Sequence, residues 1–568
     1  MPQLLRSNLT ESKEEVGNSS IVSDLALVGP EGRVGFRGLF ENKFLLGISL
    51  FSTLGGFLCG YGLGVLSNVL TIESFGATFP EIYMNPKLQG WLVSTFVLGK
   101  STGPVCDKVG RKIGIICGAV IFLIGSSLQA GATSPAYLFA GRTVAGLAIG
   151  SLTHVVPMYL AEISSAKIRG SLISLQQLAI TFGVNWIAYG TSRIGGTRCA
   201  PGIPYTGVLP NGMLAFNPYT DAPGGCTGQT QASWRVPFAF QILPALCLAI
   251  GMLFMPYSPR WLVEQGREEE ALETLSRLRR KPTENCSVRT EFLEIMTEAR
   301  FGREVMKAAY PNAGPARRTI NKYLVLMSSR PKSKRIFVGF LIMSSQQNMA
   351  LIALLPMIFH QLGLDPNTTS VIATGVSGIV NMLATLPAIA LVDSVGRRPV
   401  FISGAAGCLI CLTIASTIIT VYGKDWPAHV VAARIVIVFA FLYDVIYSYS
   451  WAPMGWVVTS EIFPLHLRSI GMSIITSTMW SMIFMAGIFS LMTMGSSVSG
   501  IAYYVFVALS LGALLSAIFF IPETKGLTLE ETDPVFRDNA TDSQREHKEG
   551  IRQELGLPNR ALLNENSG

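Results

Sequence analysis

A six-residue stretch, Asp107-Lys-Val-Gly-Arg-Lys112, returns as Asp393-Ser-Val-Gly-Arg-Arg398, and each copy lies between two long apolar runs. A pattern repeated in matching surroundings marks an internally duplicated chain. Such a chain folds as two similar halves. Each copy reads as a short loop between two helices. Gly110 and Gly396 permit a tight reversal. The basic residues hold the loop at one face of a bilayer. The Asp can accept hydrogen bonds at a helix end.

The bilayer reading follows from composition. Only 14% of the 568 residues are charged and the mean hydropathy is +0.43, whereas soluble proteins carry about 25% charged residues. Apolar runs long enough to cross about 30 Å of hydrocarbon as helices lie at 44–66, 88–106, 113–131, 136–159, 171–191 and 236–256. Six more lie at 336–359, 369–392, 400–421, 432–458, 469–493 and 500–521. The expectation is an all-α membrane protein of twelve transmembrane helices in two six-helix halves, 41–256 and 336–521. A linker over 257–335 joins them, and tails cover 1–40 and 522–568.

Charge sets the orientation. The span 259–335 holds 17 of the 44 Lys and Arg, so the net charge of +8 is concentrated in one loop and does not describe a nucleic-acid face. That loop, Lys108, Arg111, Lys112, Lys167 and Arg169 fall on one side, read as cytoplasmic together with both termini. Leu272, Leu275 and Leu278 form a helical stripe, so the linker is expected to hold amphipathic helices. The tail after Lys525 is charged and is expected to be mobile. On the opposite side, the 192–233 loop carries Cys199 and Cys226. An oxidising space there would allow a Cys199–Cys226 disulfide, two free thiols being the alternative. Asn367 opens a glycosylation sequon on that same side. The nine Cys offer no four-ligand metal set, Cys408 and Cys411 being a single pair inside an apolar run, and no nucleophile or phosphate-loop motif appears, so neither an enzyme, a metal nor a cofactor is expected.

An ordered set of motifs now points to a family. It includes Gly141-Arg142-Thr-Val-Ala-Gly146, Pro157-Met-Tyr-Leu-Ala-Glu162 with Arg169, Gln176-Gln177-Leu and Pro256-Tyr-Ser-Pro259-Arg260. The second half adds Trp451-Ala-Pro-Met-Gly-Trp456, Ser460-Glu461-Ile-Phe-Pro464 with Arg468, and Pro522-Glu523-Thr-Lys-Gly526. In these residues the chain resembles the sugar porter family of the major facilitator superfamily, in particular its fungal branch.

The resemblance implies a sugar substrate site near the membrane midplane, formed by Gln177, Gln346, Gln347, Asn348, Asn381, Trp456 and Trp480. It also implies two charge networks on the cytoplasmic side, Asp107, Arg111, Glu162 and Arg169 in one half, and Asp393, Arg397, Glu461 and Arg468 in the other. These would bias an equilibrium between two conformations. The register of the seventh span is open, because Asn348 follows Gln347 at once, and the second and seventh spans are short against the family pattern.

The chain also departs from the family. Gly62 stands where proton-coupled members carry an Asp, and Ile483 stands where the family has an Asn. Arg142 thereby lacks its usual carboxylate. The groups left to carry a proton are Asp444, His154 and Glu73, with Arg142 also counted as a candidate proton-coupling residue. The expected function is transport of a hexose or pentose by alternating access, as facilitator or proton symporter, by a plasma-membrane monomer. The alternatives are a quinate, polyol or disaccharide carrier, for which Arg142, Lys100 or His154 offers a counter-charge to an anion, and a sugar sensor without flux.

Overall fold

The structure, a computed structural model, describes residues 35–97, 108–182, 191, 194–196, 198–208, 214–311, 315–328, 330–349, 366–422, 428–494, 499–527, 536 and 542–557. Helices stand at each of the twelve places expected from the apolar runs. In the first half they are α1 (Lys43–Leu66), α2 (Pro86–Val97), α3 (Arg111–Ala130), α4 (Pro135–Ile163), α5 (Arg169–Phe182) and α6 (Ala232–Phe254). In the second they are α7 (Arg330–Asn348), α8 (Pro366–Val395), α9 (Arg397–Tyr422), α10 (Val430–Glu461), α11 (Arg468–Met494) and α12 (Ser499–Phe519). Among the described residues, 7 helices are long and apolar enough to cross a membrane by themselves. The segments following α2, α5 and α7 lie outside the described residues, and with them Lys100 and the question of two short spans.

Local chemistry sets the helix starts. Gly110 and Gly396 have φ of 90° and 109°, and each directly precedes the first residue of α3 or α9. L side chains rarely adopt that backbone region, so glycine is required at both turns. Ser134 precedes Pro135 at the start of α4, where a missing N–H costs nothing. Within the halves, small residues allow close packing. A Cβ at Gly60 of α1 would sit 1.9 Å from the Ile180 carbonyl oxygen of α5.

Burial separates inner from outer faces. On α6, Leu243, Leu246, Ile250 and Leu253 form an exposed stripe at helical spacing, while Ala245 and Leu248 are buried. An apolar stripe left open on a bundle suits a lipid environment. α4 is different: every residue from Ala148 to Ile163 is buried, so this helix runs through the centre. The two halves meet where α5 packs on α8 and α2 packs on α11. Exchanging the halves maps one pair onto the other, as the repeat in the sequence requires. Further contacts join α4 to α11 and α5 to α10.

Between the halves lie helices Pro259–Glu264, Glu268–Arg279, Cys286–Ala309 and Pro315–Ser328. In the second of these, Ala271, Leu275 and Leu278 are the buried stripe, and Leu272 is half-buried. Its Glu268, Glu269 and Glu270 sit in the first turn, and Arg277 and Arg279 in the last, as the helix dipole favours.

The tail expectation needs correction. Asp542–Glu554 is a helix docked along Cys286–Ala309. Lys548 lies 2.6 Å from Glu298, His547 2.7 Å from Glu304 and Arg300 3.1 Å from Glu554, with Ile551 and Leu557 buried. A charged segment is not mobile when complementary charge and an apolar face await it. The Glu304 carboxyl is held below the usual carboxylate range: burial pushes it up, but the bonds to His547 and Arg300 outweigh that. A depressed carboxylate contributes stability above its unfolded pKa, about 4.3, and loses it as pH falls through the folded value. Protection of the 542–557 amides against hydrogen exchange, taken relative to the unstructured rate at each pH, is therefore expected to be high at neutral pH and to fall on acidification.

The disulfide-side loop adds the one departure from all-helical structure among the described residues. Gly207–Val208 and Leu214–Ala215 pair antiparallel, Gly207 opposite Ala215. Cys199 and Cys226 are joined, with Cα atoms 4.6 Å apart. Glu73 holds this loop: Oε2 accepts the Cys199 N–H at 2.7 Å and Oε1 the Tyr205 hydroxyl at 2.6 Å. Glu73 is thus an anchor for the loop, which accounts for its carboxylate without a proton-carrying role. Removing the bond by Cys199→Ser with Cys226→Ser is expected to lower the loop's stability by about 2–4 kcal/mol. Limited proteolysis within 198–228 is the measurement that checks it.

Candidate functional site

Polar side chains in the bundle interior gather where the halves meet. Gln177 of α5 and Trp456 of α10 are both buried, and the indole N–H donates to Gln177 Oε1 at 3.2 Å. Trp480 of α11 donates from its indole N–H to Thr153 Oγ1 of α4 at 3.3 Å. His154, one residue on, bonds the Ser469 carbonyl of α11 through Nε2 at 3.0 Å. A carbonyl only accepts, so this nitrogen carries the proton. These contacts carry side chains of α4 and α5 to the second half. His154 serves as a tether between halves.

In the second half, Gln346 of α7 donates from Nε2 to the Ala452 carbonyl at 2.8 Å, at the break in α10 after Ser450. Its Oε1 is buried with no hydrogen-bond partner among the described residues. Gln347 and Asn348 are half-buried and make no side-chain bond to another described residue. Asn381 of α8 lies between two groups of α10: its Oδ1 accepts the Ser448 hydroxyl at 2.5 Å and its Nδ2 donates to Asp444 Oδ1 at 3.3 Å. The amide orientation follows from Asp444: an ionised carboxylate only accepts, so the Asn381 N–H groups face it and Oδ1 is left to take the Ser448 hydroxyl proton.

Around Gly62 the first half is closed. Arg142 donates from Nη1 to the Gly62 carbonyl at 2.9 Å and stacks on the Phe96 ring at 4.1 Å. A Cβ at Gly62 would meet Phe96 at 2.8 Å. Arg142 makes no ion pair among the described residues. The nearby Gln241 is buried with both amide atoms lacking a partner among them, as is Gln176 beside Gln177. Neither was singled out from the sequence as a site residue. A Gln inside an apolar span is the signal that could have found Gln241.

Charges collect at the end of the bundle where the linker lies. Glu162 accepts from Arg111 Nε at 3.1 Å on Oε1, with Nη2 of the same guanidinium 2.9 Å away, and accepts the Ser258 hydroxyl at 2.5 Å on Oε2. Arg260 donates to the Glu162 carbonyl at 2.5 Å. The second half repeats this arrangement. Glu461 accepts Arg397 Nη2 at 3.2 Å on Oε1 and the Thr524 hydroxyl at 2.7 Å on Oε2. Glu523 accepts the backbone N–H groups of Arg397 and Arg398, each at 3.0 Å, and so caps α9. Pro256-Tyr-Ser258 and Pro522-Glu-Thr524 are therefore twin devices that place a hydroxyl on the Glu of each half. The motifs were visible in the sequence. Their partner was not.

The two sets of charges are joined across the halves. Asp393 bonds Arg397 at 3.1 Å, but it also accepts the N–H groups of Gly170 and Ser171 at 3.2 and 2.8 Å and the Ser171 hydroxyl at 2.6 Å. It thus caps α5 from the opposite half, because helix N-terminal N–H groups need acceptors. Arg169 Nη1 lies 3.9 Å from Glu461 Oε1, again across the halves. Arg468 holds the Phe463 carbonyl through Nε and Nη2 at 3.3 and 3.2 Å. Asp107 lies outside the described residues. Arg111, Glu162, Arg169, Asp393, Arg397, Glu461 and Arg468 are all buried, so the small worth of exposed pairs does not apply to them.

Comparison with known proteins agrees with this architecture. Residues 48–536 match the family model described as sugar (and other) transporter. The chain is 30% identical over 524 residues to the hexose transporter HXT13 of Saccharomyces cerevisiae, covering 88% of this chain and 84% of that one. It is likewise 30% identical over 521 residues to the high glucose sensor RGT2 of the same yeast, where it spans 61% of the relative. Among solved structures, the proton:xylose symporter XylE bound to 6-bromo-6-deoxy-D-glucose superposes with a TM-score of 0.68 at 25% identity, covering 87% of this chain and 99% of that one. The two-half bundle, its duplicated charge device and these matches together make the chain a member of the sugar (and other) transporter family, with the major facilitator fold.

Proposed function

We propose that this protein carries a monosaccharide, a hexose or pentose, across the plasma membrane by alternating access. The two halves rock about a site lined by Gln177, Gln346, Asn381, Trp456 and Trp480. The bond from Trp456 to Gln177 at 3.2 Å carries the reading. It joins the halves through groups that can exchange each other for sugar hydroxyls, while the indole face covers sugar C–H bonds. Gln347 and Asn348, half-buried and with no side-chain bond to another described residue, extend the site along α7. Relatives named for hexose and a neighbour named for xylose support the substrate class.

The charge network is the gate on the cytoplasmic side, where both termini also lie. Arg169 to Glu461 and Ser171 to Asp393 close that side in this conformation. Opening requires these bonds to part, and a few kcal/mol decides which side is open.

Expression in yeast that lacks its own hexose carriers tests the substrate. Labelled glucose or xylose is expected to enter saturably, with unlabelled hexose competing. The buried Arg142, which makes no ion pair among the described residues, favours one second reading, an anionic polyol such as quinate. Competition by quinate and not by hexose would select that reading. Sugar binding without uptake would select a sensor.

A further inference from the structure

Seven carboxylates are buried among the described residues, and six have strong donors. Glu73 has the Cys199 N–H, Asp221 the Asn217 N–H and Glu298 the Lys548 ammonium. Glu162 has Arg111, while Asp393 and Glu461 share Arg397. Asp444 is the exception. It lies near the middle of α10 and is fully buried, and its bond to another described residue is the 3.3 Å contact from Asn381 Nδ2. Its Oδ2 has no partner among the described residues. The groups that face it are Cys408 of α9 and Tyr443 and Tyr447 of its own helix. α7 presents the Met349 carbonyl, already bonded by the Tyr443 hydroxyl at 2.7 Å, and α8 presents Asn381. α12 presents Ser510 to Tyr443. None of these is a cation.

A charged carboxylate at membrane depth with one long amide bond is costly, and binding a proton removes the cost. We propose that Asp444 carries the proton that this transporter moves with its sugar, and that Asn381 couples the two. The inference rests on the sugar-carrier reading above. An Asn amide has two N–H groups. An ionised Asp444 draws them to its oxygens. Once Oδ2 takes a proton, the neutral acid competes less strongly and one N–H becomes available to a sugar hydroxyl. Ser448 keeps the amide from turning away, because its hydroxyl donates to Asn381 Oδ1. Proton and sugar then favour each other's binding, reciprocally. One proton enters on Oδ2 while the site faces outward and leaves from Oδ2 when it faces inward, so charge and atoms balance in each cycle.

The test uses the full-length protein in sealed vesicles, with labelled glucose or xylose and an imposed inward proton gradient. Wild type is expected to concentrate sugar above the outside level, to lose that on adding a protonophore, and to alkalinise a weakly buffered medium when sugar is added. Asp444→Asn is expected to bring sugar to the equilibrium ratio at most, with exchange that no longer varies with pH. Asp444→Glu is expected to restore part of the pH dependence, which a structural role alone would not do. Wild-type transport that neither concentrates sugar nor responds to pH overturns the proton role while leaving the carrier reading intact. Proton-driven accumulation that survives in Asp444→Asn also overturns it. No sugar movement by any variant, with protein present in the vesicles, overturns the carrier reading and this inference with it.

Discussion

Glu461→Gln is expected to remove most sugar flux, by about tenfold to a hundredfold, while the protein still reaches the membrane. The carboxylate receives Arg397 at 3.2 Å and Thr524 at 2.7 Å, and Arg169 approaches from the other half at 3.9 Å. A Gln keeps the volume and can still accept from Thr524, but it removes the charge. Two buried guanidinium groups are then undercompensated, and breaking a buried pair typically costs about 3–5 kcal/mol. Part of that cost falls on the closed linker-side state alone, so the equilibrium shifts toward the state in which the network is parted. Glu162→Gln is expected to act in the same direction, because Arg111 and Ser258 repeat the device. Its effect should be smaller, since Arg169 bridges to Glu461. Arg267→Ala, which breaks a largely exposed pair with Glu270, is expected to stay within about twofold of wild type. Initial rates of uptake, normalised to protein at the surface, check all three.

Gln177→Ala is expected to raise the half-saturating sugar concentration by about tenfold, with a smaller change in maximal rate. The truncation leaves the Trp456 N–H buried without its acceptor, a penalty of about 1–3 kcal/mol, and removes an amide that meets the sugar. Trp456→Ala is expected to cost more, because the ring face is lost with the N–H. The two should not add, since each residue is the other's partner. A double-mutant cycle on sugar affinity checks the coupling. Full additivity would mean that Gln177 and Trp456 act independently on the substrate.

The sequence made the fold legible because the lipid constraint is severe. Apolar runs of sufficient length must be helices, and the Asp-x-x-Gly-Arg repeat announces two halves. The turn glycines and the tethering of Cys199 to Cys226 were legible for the same reason, since each needs little tertiary information. Pairings were not legible. Nothing in the spacing of Glu162 and Arg169 says that Arg169 reaches Glu461 of the other half, because that depends on how α5 docks on α8. The roles of Ser258 and Thr524 were hidden for a related reason: each hydroxyl finds a Glu far away in the chain. The docked tail escaped because a charged segment reads as solvated unless its partner surface is known. Asp444 stood out as a buried carboxylate, but its isolation is visible only once all six others are seen to be partnered.

The most direct test of the account is counterflow of labelled glucose or xylose in vesicles preloaded with the same unlabelled sugar. An alternating-access carrier returns from its inner face faster when loaded, so labelled sugar is expected to overshoot its equilibrium level before falling back. Saturable binding of the same sugars with neither overshoot nor net uptake would contradict the account, and would make this member of the family a receptor whose halves do not cycle.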